Sequence, residues 1–252
     1  MFMGDWRQSM PRLMHNSIVF RDILTSLEGP DHLHPTRKGA VLLFTEAVSY
    51  ATLEPGAAAT PSAMDGIQQV FYVHSGEGVI TAGEQSVPLR EGSSFIITPG
   101  LDFTLRAQGG DVLAMYVVSE KIPEGATVNE SLYVTDGYQN PMFMKYHWAN
   151  IDREIINSKN GMVAYRALTA VKLDAMTIAQ PHSHREGVEE VWISLRGDTN
   201  VLIGKELRSF PAGTAYKVPA TGQTAHANIN ASASPVNLMH MMKSPPRRRA
   251  GN

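Results

Sequence analysis

Residues 181–197 read PHSHREGVEEVWISLRG, and this stretch decides the fold. It holds His182 and His184 two positions apart, a carboxylate at Glu189 or Glu190, an apolar run from Val191 to Leu195, and Gly197. Side chains alternate along an extended chain, so residues two apart face one side. His182 and His184 can therefore reach the same point. Glu190 follows across a turn at Gly187, at the start of the next strand. Farther on stand Gly204, Gly213, Pro219, Gly222, His226 and Asn230.

The same frame occurs earlier in the chain. Gln69 to Gly92 matches Glu190 to Gly213 without a gap, and Gly76, Gly83 and Gly92 fall in register with Gly197, Gly204 and Gly213. Upstream, Leu53 to Pro61 has the length of Leu173 to Pro181. Opposite His182, His184, Glu190 and His226 the first copy sets Ser62, Met64, Gln69 and Phe103. One copy looks like a metal site, and the other like the same frame without ligands.

Composition agrees with two ordinary globular domains. The chain has 252 residues, 43% of them hydrophobic and 18% charged, with a formal net charge of −2. That gives ample apolar material for cores. It gives no support for binding nucleic acid or an anionic membrane. There are no cysteines, which excludes disulfides, thiolate metal sites and cysteine nucleophiles. No apolar run approaches the roughly 18 residues of a membrane span, and no signal peptide is visible at the N-terminus. The expectation is a cytoplasmic location.

Five regions are expected. Residues 1–35 form a polar arm, 36–120 the first domain, 121–160 a connector, 161–243 the second domain, and 244–252 a basic tail. Within both domains, runs such as Val70 to Val73, Phe95 to Ile97 and Val191 to Leu195 are rich in β-branched and aromatic residues. Gly and Pro punctuate them about every 8–12 residues, the pattern of a β-sandwich or barrel. Glu77-Gly78 and Gly83-Glu84 supply turn residues. In the connector, Ile151–Asn157 reads as a short helix closed by Asn160-Gly161. His32 and His34 share the His-x-His spacing but are flanked by Pro30 and Pro35 and read as a loop. His15, His74, His147 and His240 carry no functional assignment.

Three imidazoles and one carboxylate suit a borderline first-row divalent ion: manganese, iron, cobalt, nickel, copper or zinc. Four protein ligands leave up to two positions open in an octahedral sphere, as a catalytic metal requires. Trp192 shares strand parity with Glu190, and Asn228 with His226. These two and Tyr216 are the pocket candidates. No catalytic residue is assigned from the sequence.

The pattern resembles the cupin superfamily. The first family motif appears as His182, His184, Glu190 and Gly197. The second appears as Gly213, Pro219, Gly222, His226 and Asn230. Two gaps depart from the family: His184 to Glu190 is one residue longer, and Pro219 to His226 two residues longer. Glu189 competes with Glu190, but Glu190 keeps the six-residue spacing to Gly197. The resemblance covers roughly residues 40–118 and 162–242. It implies an all-β bicupin, two antiparallel jelly-roll barrels in tandem. It also implies one divalent transition metal per chain, held by His182, His184, Glu190 and His226, with none in the first barrel. Cupins often dimerise, so a homodimer is among the assemblies implied. The expected function is a metal-dependent enzyme on a small organic molecule, foremost a dioxygenase-like oxidoreductase. The alternatives are a non-oxidative isomerase, lyase or hydrolase, and a metabolite-binding cupin without turnover. Fold alone does not choose among them.

Overall fold

The computed structural model describes residues 2–26, 40–145 and 147–244. The His32–His34 loop and the tail from residue 245 lie outside the described residues. The arm forms β1 (Met3–Asp5), β2 (Pro11–Met14) and β3 (Ile18–Ser26). The first copy of the repeat forms β4 (Ala40–Leu42), β5 (Thr45–Leu53), β6 (Ala58–Ala59), β7 (Ile67–Ser75), β8 (Glu77–Ala82), β9 (Gln85–Leu89), β10 (Ser93–Ile97), β11 (Thr104–Gln108) and β12 (Leu113–Lys121). The connector forms β13 (Tyr133–Asp136) and β14 (Asn150–Asn157). The second copy forms β15 (Ala167–Leu173), β16 (Thr177–Ile178), β17 (Glu189–Arg196), β18 (Thr199–Ile203), β19 (Glu206–Phe210), β20 (Thr214–Val218), β21 (His226–Asn230) and β22 (Val236–Lys243).

Each copy is a two-sheet jelly-roll barrel. In the first, the sheet β13-β10-β7-β12-β5-β3-β2 faces the sheet β6-β11-β8-β9. In the second, β1-β20-β17-β22-β15-β14 faces β16-β21-β18-β19. The strand orders show a reciprocal exchange. The arm sends β1 to the edge of the second barrel, pairing Gly4 with Ala215, before β3 joins the first. The connector sends β13 to the first barrel, pairing Phe95 with Val134, before β14 joins the second. Each borrowed strand covers an edge that would otherwise offer unpaired backbone groups. The arm crosses so closely that a side chain at Gly4 would collide with the carbonyl of Ile23.

These pairings correct two expectations. The arm is not a polar appendage, since residues 3–26 supply strands to both barrels. Ile151–Asn157 is a strand and not a helix. Ile151, Ile155 and Ile156 are β-branched, and the segment pairs with β15 from Asn150 opposite Leu173 to Asn157 opposite Ala167. The helix closure read at Asn160-Gly161 is a single 3-10 turn, Ser158–Asn160, ended by Gly161 at φ +111°.

The two large sheets lie back to back, so their strands are buried on both faces and read as continuous apolar runs. On β17, Val191, Ile193 and Leu195 join Ile23, Val70, Tyr72 and Val118 between the barrels. On the opposite face, Trp192 joins the second barrel's core. Phe71, Val73 and Phe95 fill the first. Burying each large side chain contributes about 2–3 kcal/mol.

Two buried carboxylates clasp the barrels together. Glu120 of the first accepts hydrogen bonds from the backbone of Val163, Ala164 and Tyr165, each at 3.0 Å, where the chain enters the second barrel. Glu189 of the second accepts from the backbone of Leu43 at 2.6 Å and the Tyr165 hydroxyl at 2.7 Å. Leu43 and Val163 are equivalent positions of the repeat, so the clasps are mutual.

Candidate metal centre

Strand parity separates the two adjacent carboxylates. Glu189 points out of the barrel into its clasp, and Glu190 points in, 1% exposed. On β21, His226 also points in and is 1% exposed. His182 lies beside it in an isolated bridge: its N–H donates to the His226 carbonyl at 3.2 Å, and its carbonyl accepts from the His226 N–H at 2.9 Å. His182 and His184 occupy extended chain rather than a full strand, yet their alternation still brings both rings to Glu190. Gly222, at φ +76°, lets the loop before His226 pass the backbone of Glu186, where a side chain would clash at 2.7 Å.

One potential ligand atom from each of His182, His184, Glu190 and His226 lies within 4.8 Å of the others. Donors at opposite corners of a first-row ion stand about 4 Å apart, so the spread matches a shared cation. His184 Nε2 and His226 Nε2 stand 2.7 Å and 2.9 Å from Glu190 Oε2. Despite that closeness, neither contact has hydrogen-bond geometry, and all three atoms are buried without a partner, as is His182 Nε2. Several nitrogen and oxygen atoms aimed at one point without hydrogen-bond geometry fit a metal better than an ion-pair network.

The surroundings orient these ligands. His182 Nδ1 lies 2.9 Å from the Gln180 carbonyl, which can only accept, so Nδ1 carries the proton and Nε2 keeps its lone pair. Glu190 Oε1 accepts from Trp192 Nε1 at 3.0 Å and from His240 Nε2 at 2.9 Å, which turns Oε2 to the imidazoles. Burial alone would raise the Glu190 carboxyl, but His184, His226 and His240 around it hold it well below the usual range. Burial lowers His182, whereas the Glu190 carboxylate beside it raises His184. Ionised carboxylate and neutral imidazole are the ligand forms.

Trp192 lines a cavity of about 290 Å³ that opens over His182, His184 and Glu190. Tyr216 and Asn228, expected at the pocket, are instead buried away from it. The Tyr216 hydroxyl donates to Asn228 Oδ1 at 3.0 Å, and the Tyr216 ring packs against Phe210. The two satisfy each other inside the apolar core. Asn230 holds a loop, its Nδ2 donating to the carbonyls of Leu173, Asp174 and Ser234.

The sequence reading missed several cavity residues. His240 anchors Glu190, and its ring lies 4.6 Å from that of Trp192. His147, from the connector, lies 4.3 Å from the His182 ring. Burial lowers it to about 4. Asn150, Asp152 and Glu154 of β14 also line the cavity. Their alternation was legible, had 150–157 been read as a strand.

At the equivalent place in the first barrel stands His15. A turn with His15 at φ +50° and Asn16 at φ +64° joins β2 to β3 and drives the imidazole inward. The ring is fully buried. Its Nε2 donates to Gln69 Oε1 at 2.7 Å, Ser62 Oγ lies 3.4 Å from Nδ1, and its edge meets Phe103 at 5.4 Å. Gln69 Nε2 in turn donates to Ser119 at 3.3 Å. Polar groups that converge openly in one barrel are satisfied in the other.

Residues 49–119, most of the first barrel, match the family described as the cupin domain. No curated protein matches the sequence. Several solved structures share the architecture. Protein YlbA of E. coli is 11% identical with TM-score 0.68, covering 98% of this chain and 92% of its own. A putative glyoxylate-induced protein of Pseudomonas aeruginosa is 14% identical with TM-score 0.68, covering 94% and 84%. Oxalate decarboxylase of Bacillus subtilis, described with Mn(II) centres, is 13% identical with TM-score 0.69, covering 97% and 77%. At such identities the likeness shows the fold.

Proposed function

We infer the function from one premise: this chain is a bicupin, a two-barrel member of the cupin superfamily. We propose that its second barrel holds one divalent transition metal on His182, His184, Glu190 and His226 and acts on a small organic molecule. The observation that carries this reading is the buried, partnerless convergence of those four donors beneath a cavity. When bound, the metal would act as a Lewis acid on a carbonyl or carboxylate oxygen. The chain's own groups do the rest. Trp192 and His240 fix the carboxylate. Val171 and Met242 give the cavity apolar walls, and at about 290 Å³ it is at the small end of ligand sites.

Two reaction classes are compatible with the donor set: a dioxygenase-like oxidation, and an isomerase, lyase or hydrolase reaction without oxygen. The acidic wall of β14 favours the second, because a carboxylate facing a substrate can move protons, whereas a dioxygenase has less need of one. The test is elemental analysis of protein purified without added metal, with oxygen uptake recorded against diols, diketones and flavonols. One metal per chain without uptake is expected. Uptake with iron, copper or nickel would return the reading to a dioxygenase, and no metal after reconstitution would end the enzyme proposal.

A further inference from the structure

The cavity has a wall that the metal donors do not explain. Asp152 lies on β14, opposite Val171, with its backbone held by a two-way bridge to Phe143 at 2.9 Å in each direction. Its side chain faces the cavity and the residue is 4% exposed. Its carboxylate takes no hydrogen bond and no ion pair from any described residue. Glu154, two places on, is engaged with Asn157 Nδ2 at 2.5 Å. A buried carboxylate without a partner is costly to the fold, and such groups concentrate at functional sites.

We propose, resting on the metal reading above, that Asp152 exchanges protons with the substrate, and that the substrate is a small 2-oxo acid with a C–H bond beside its carbonyl. In the forward step an Asp152 oxygen takes the proton: the C–H bond breaks and an O–H bond forms. The freed electron pair becomes a C=C bond, and the carbonyl π pair moves onto oxygen, giving an enolate. Return of a proton from Asp152 to the same carbon restores the carbonyl and completes an exchange. No oxidant or reductant is consumed. Phe143, Val171, Trp192 and Met242 offer apolar walls to a short carbon chain, and Arg166, itself engaged within the chain, brings a positive charge to the same wall.

Burial raises the Asp152 carboxyl to about 6, with His240 pulling the other way, so both protonation states are accessible near neutrality. The charged and titratable groups that face it are His240 from β22, Glu154 on its own strand, Arg166 before β15, His147 from the connector, and Glu190 with His182 and His184 across the cavity. Asp152 must be ionised to accept a proton, so activity should rise as pH passes about 6.

The experiment incubates metal-replete protein with pyruvate or 2-oxobutanoate in D2O and follows deuterium at C3 by mass spectrometry, with metal content measured on the same samples. Infrared difference spectra between acid and neutral pH report the buried carboxyl itself. The expected result is exchange by wild type that falls at least about 100-fold in Asp152→Asn at unchanged metal content, and recovers partly in Asp152→Glu. Asp152→Asn should also lose the pH limb and the infrared signal. Metal-replete wild type that exchanges neither acid, or Asp152→Asn that exchanges as fast as wild type, would overturn this inference and leave the metal centre standing. Wild type without metal would instead remove the metal reading and this inference with it.

Discussion

The two barrels share one frame but treat their interior polar groups in opposite ways. In the first, Gln69 is bonded to His15 and Ser119, and the centre is closed by an imidazole from the arm. In the second, Glu190 is held on one oxygen by Trp192 and His240 while the other faces three imidazole nitrogens without hydrogen-bond geometry. Buried polar groups left open are costly unless something completes them. The fold completes them with its own residue in one barrel and leaves them open in the other, where the proposed cation would complete them. The difference lies in the barrels' own inward residues, Ser62, Met64, Gln69 and Phe103 against His182, His184, Glu190 and His226, and in the His15 ring that the arm adds to the first.

The comparison can be broken most sharply at the adjacent carboxylates. Glu190→Gln should abolish metal binding and leave the fold intact. Glu189→Gln should keep full metal content but lower stability by about 3 kcal/mol, because the clasp to Leu43 and Tyr165 weakens in a buried site. The reverse pattern, read by elemental analysis and urea unfolding, would mean the parity assignment is wrong. His240→Ala releases one anchor of Glu190 and should weaken metal affinity by about 10- to 100-fold. An unchanged affinity in a competition titration would reduce His240 to a packing residue. His15→Ala should cost about 2 kcal/mol through the cavity and the unpaired Gln69, with metal content unaltered. A rise in metal content would show that the arm suppresses a latent site.

The smallest effect concerns Asp152. A carboxyl whose folded pKa is raised, here from 3.8 to about 6, favours the fold at low pH and loses that advantage as pH rises through the folded value. Asp152→Asn should therefore be more stable than wild type at pH 8 by about 1–2 kcal/mol, less than the full shift gives because the cavity admits water. The gap should vanish near pH 4. A variant less stable than wild type at pH 8 would contradict the unpartnered carboxylate.

Much of this was legible in the sequence because period-two alternation and repeat register are local properties. They placed His182, His184, Glu190 and His226 on inward positions and separated Glu190 from Glu189. The family match falls on the first barrel, residues 49–119, where Ser62, Met64, Gln69 and Phe103 stand opposite the His and Glu donors of the second. The second copy carries the His and Glu donors but has longer gaps after His184 and Pro219. What escaped depends on long-range pairing. Nothing local in Met3–Asp5 or Tyr133–Asp136 says that each strand joins the other barrel, and nothing local marks His15 as a plug. Ile151–Asn157 carries charges at Asp152, Arg153 and Glu154 that suit an exposed helix as well as a strand lining a cavity, and only its partner β15 decides.

The most direct test of the contrast between the barrels is metal stoichiometry by elemental analysis on wild type and His184→Ala, each reconstituted and freed of loosely held ions. One divalent cation per chain in wild type and close to none in His184→Ala, with the variant still folded, is the predicted result. Two per chain, or an undiminished value in His184→Ala, would contradict it.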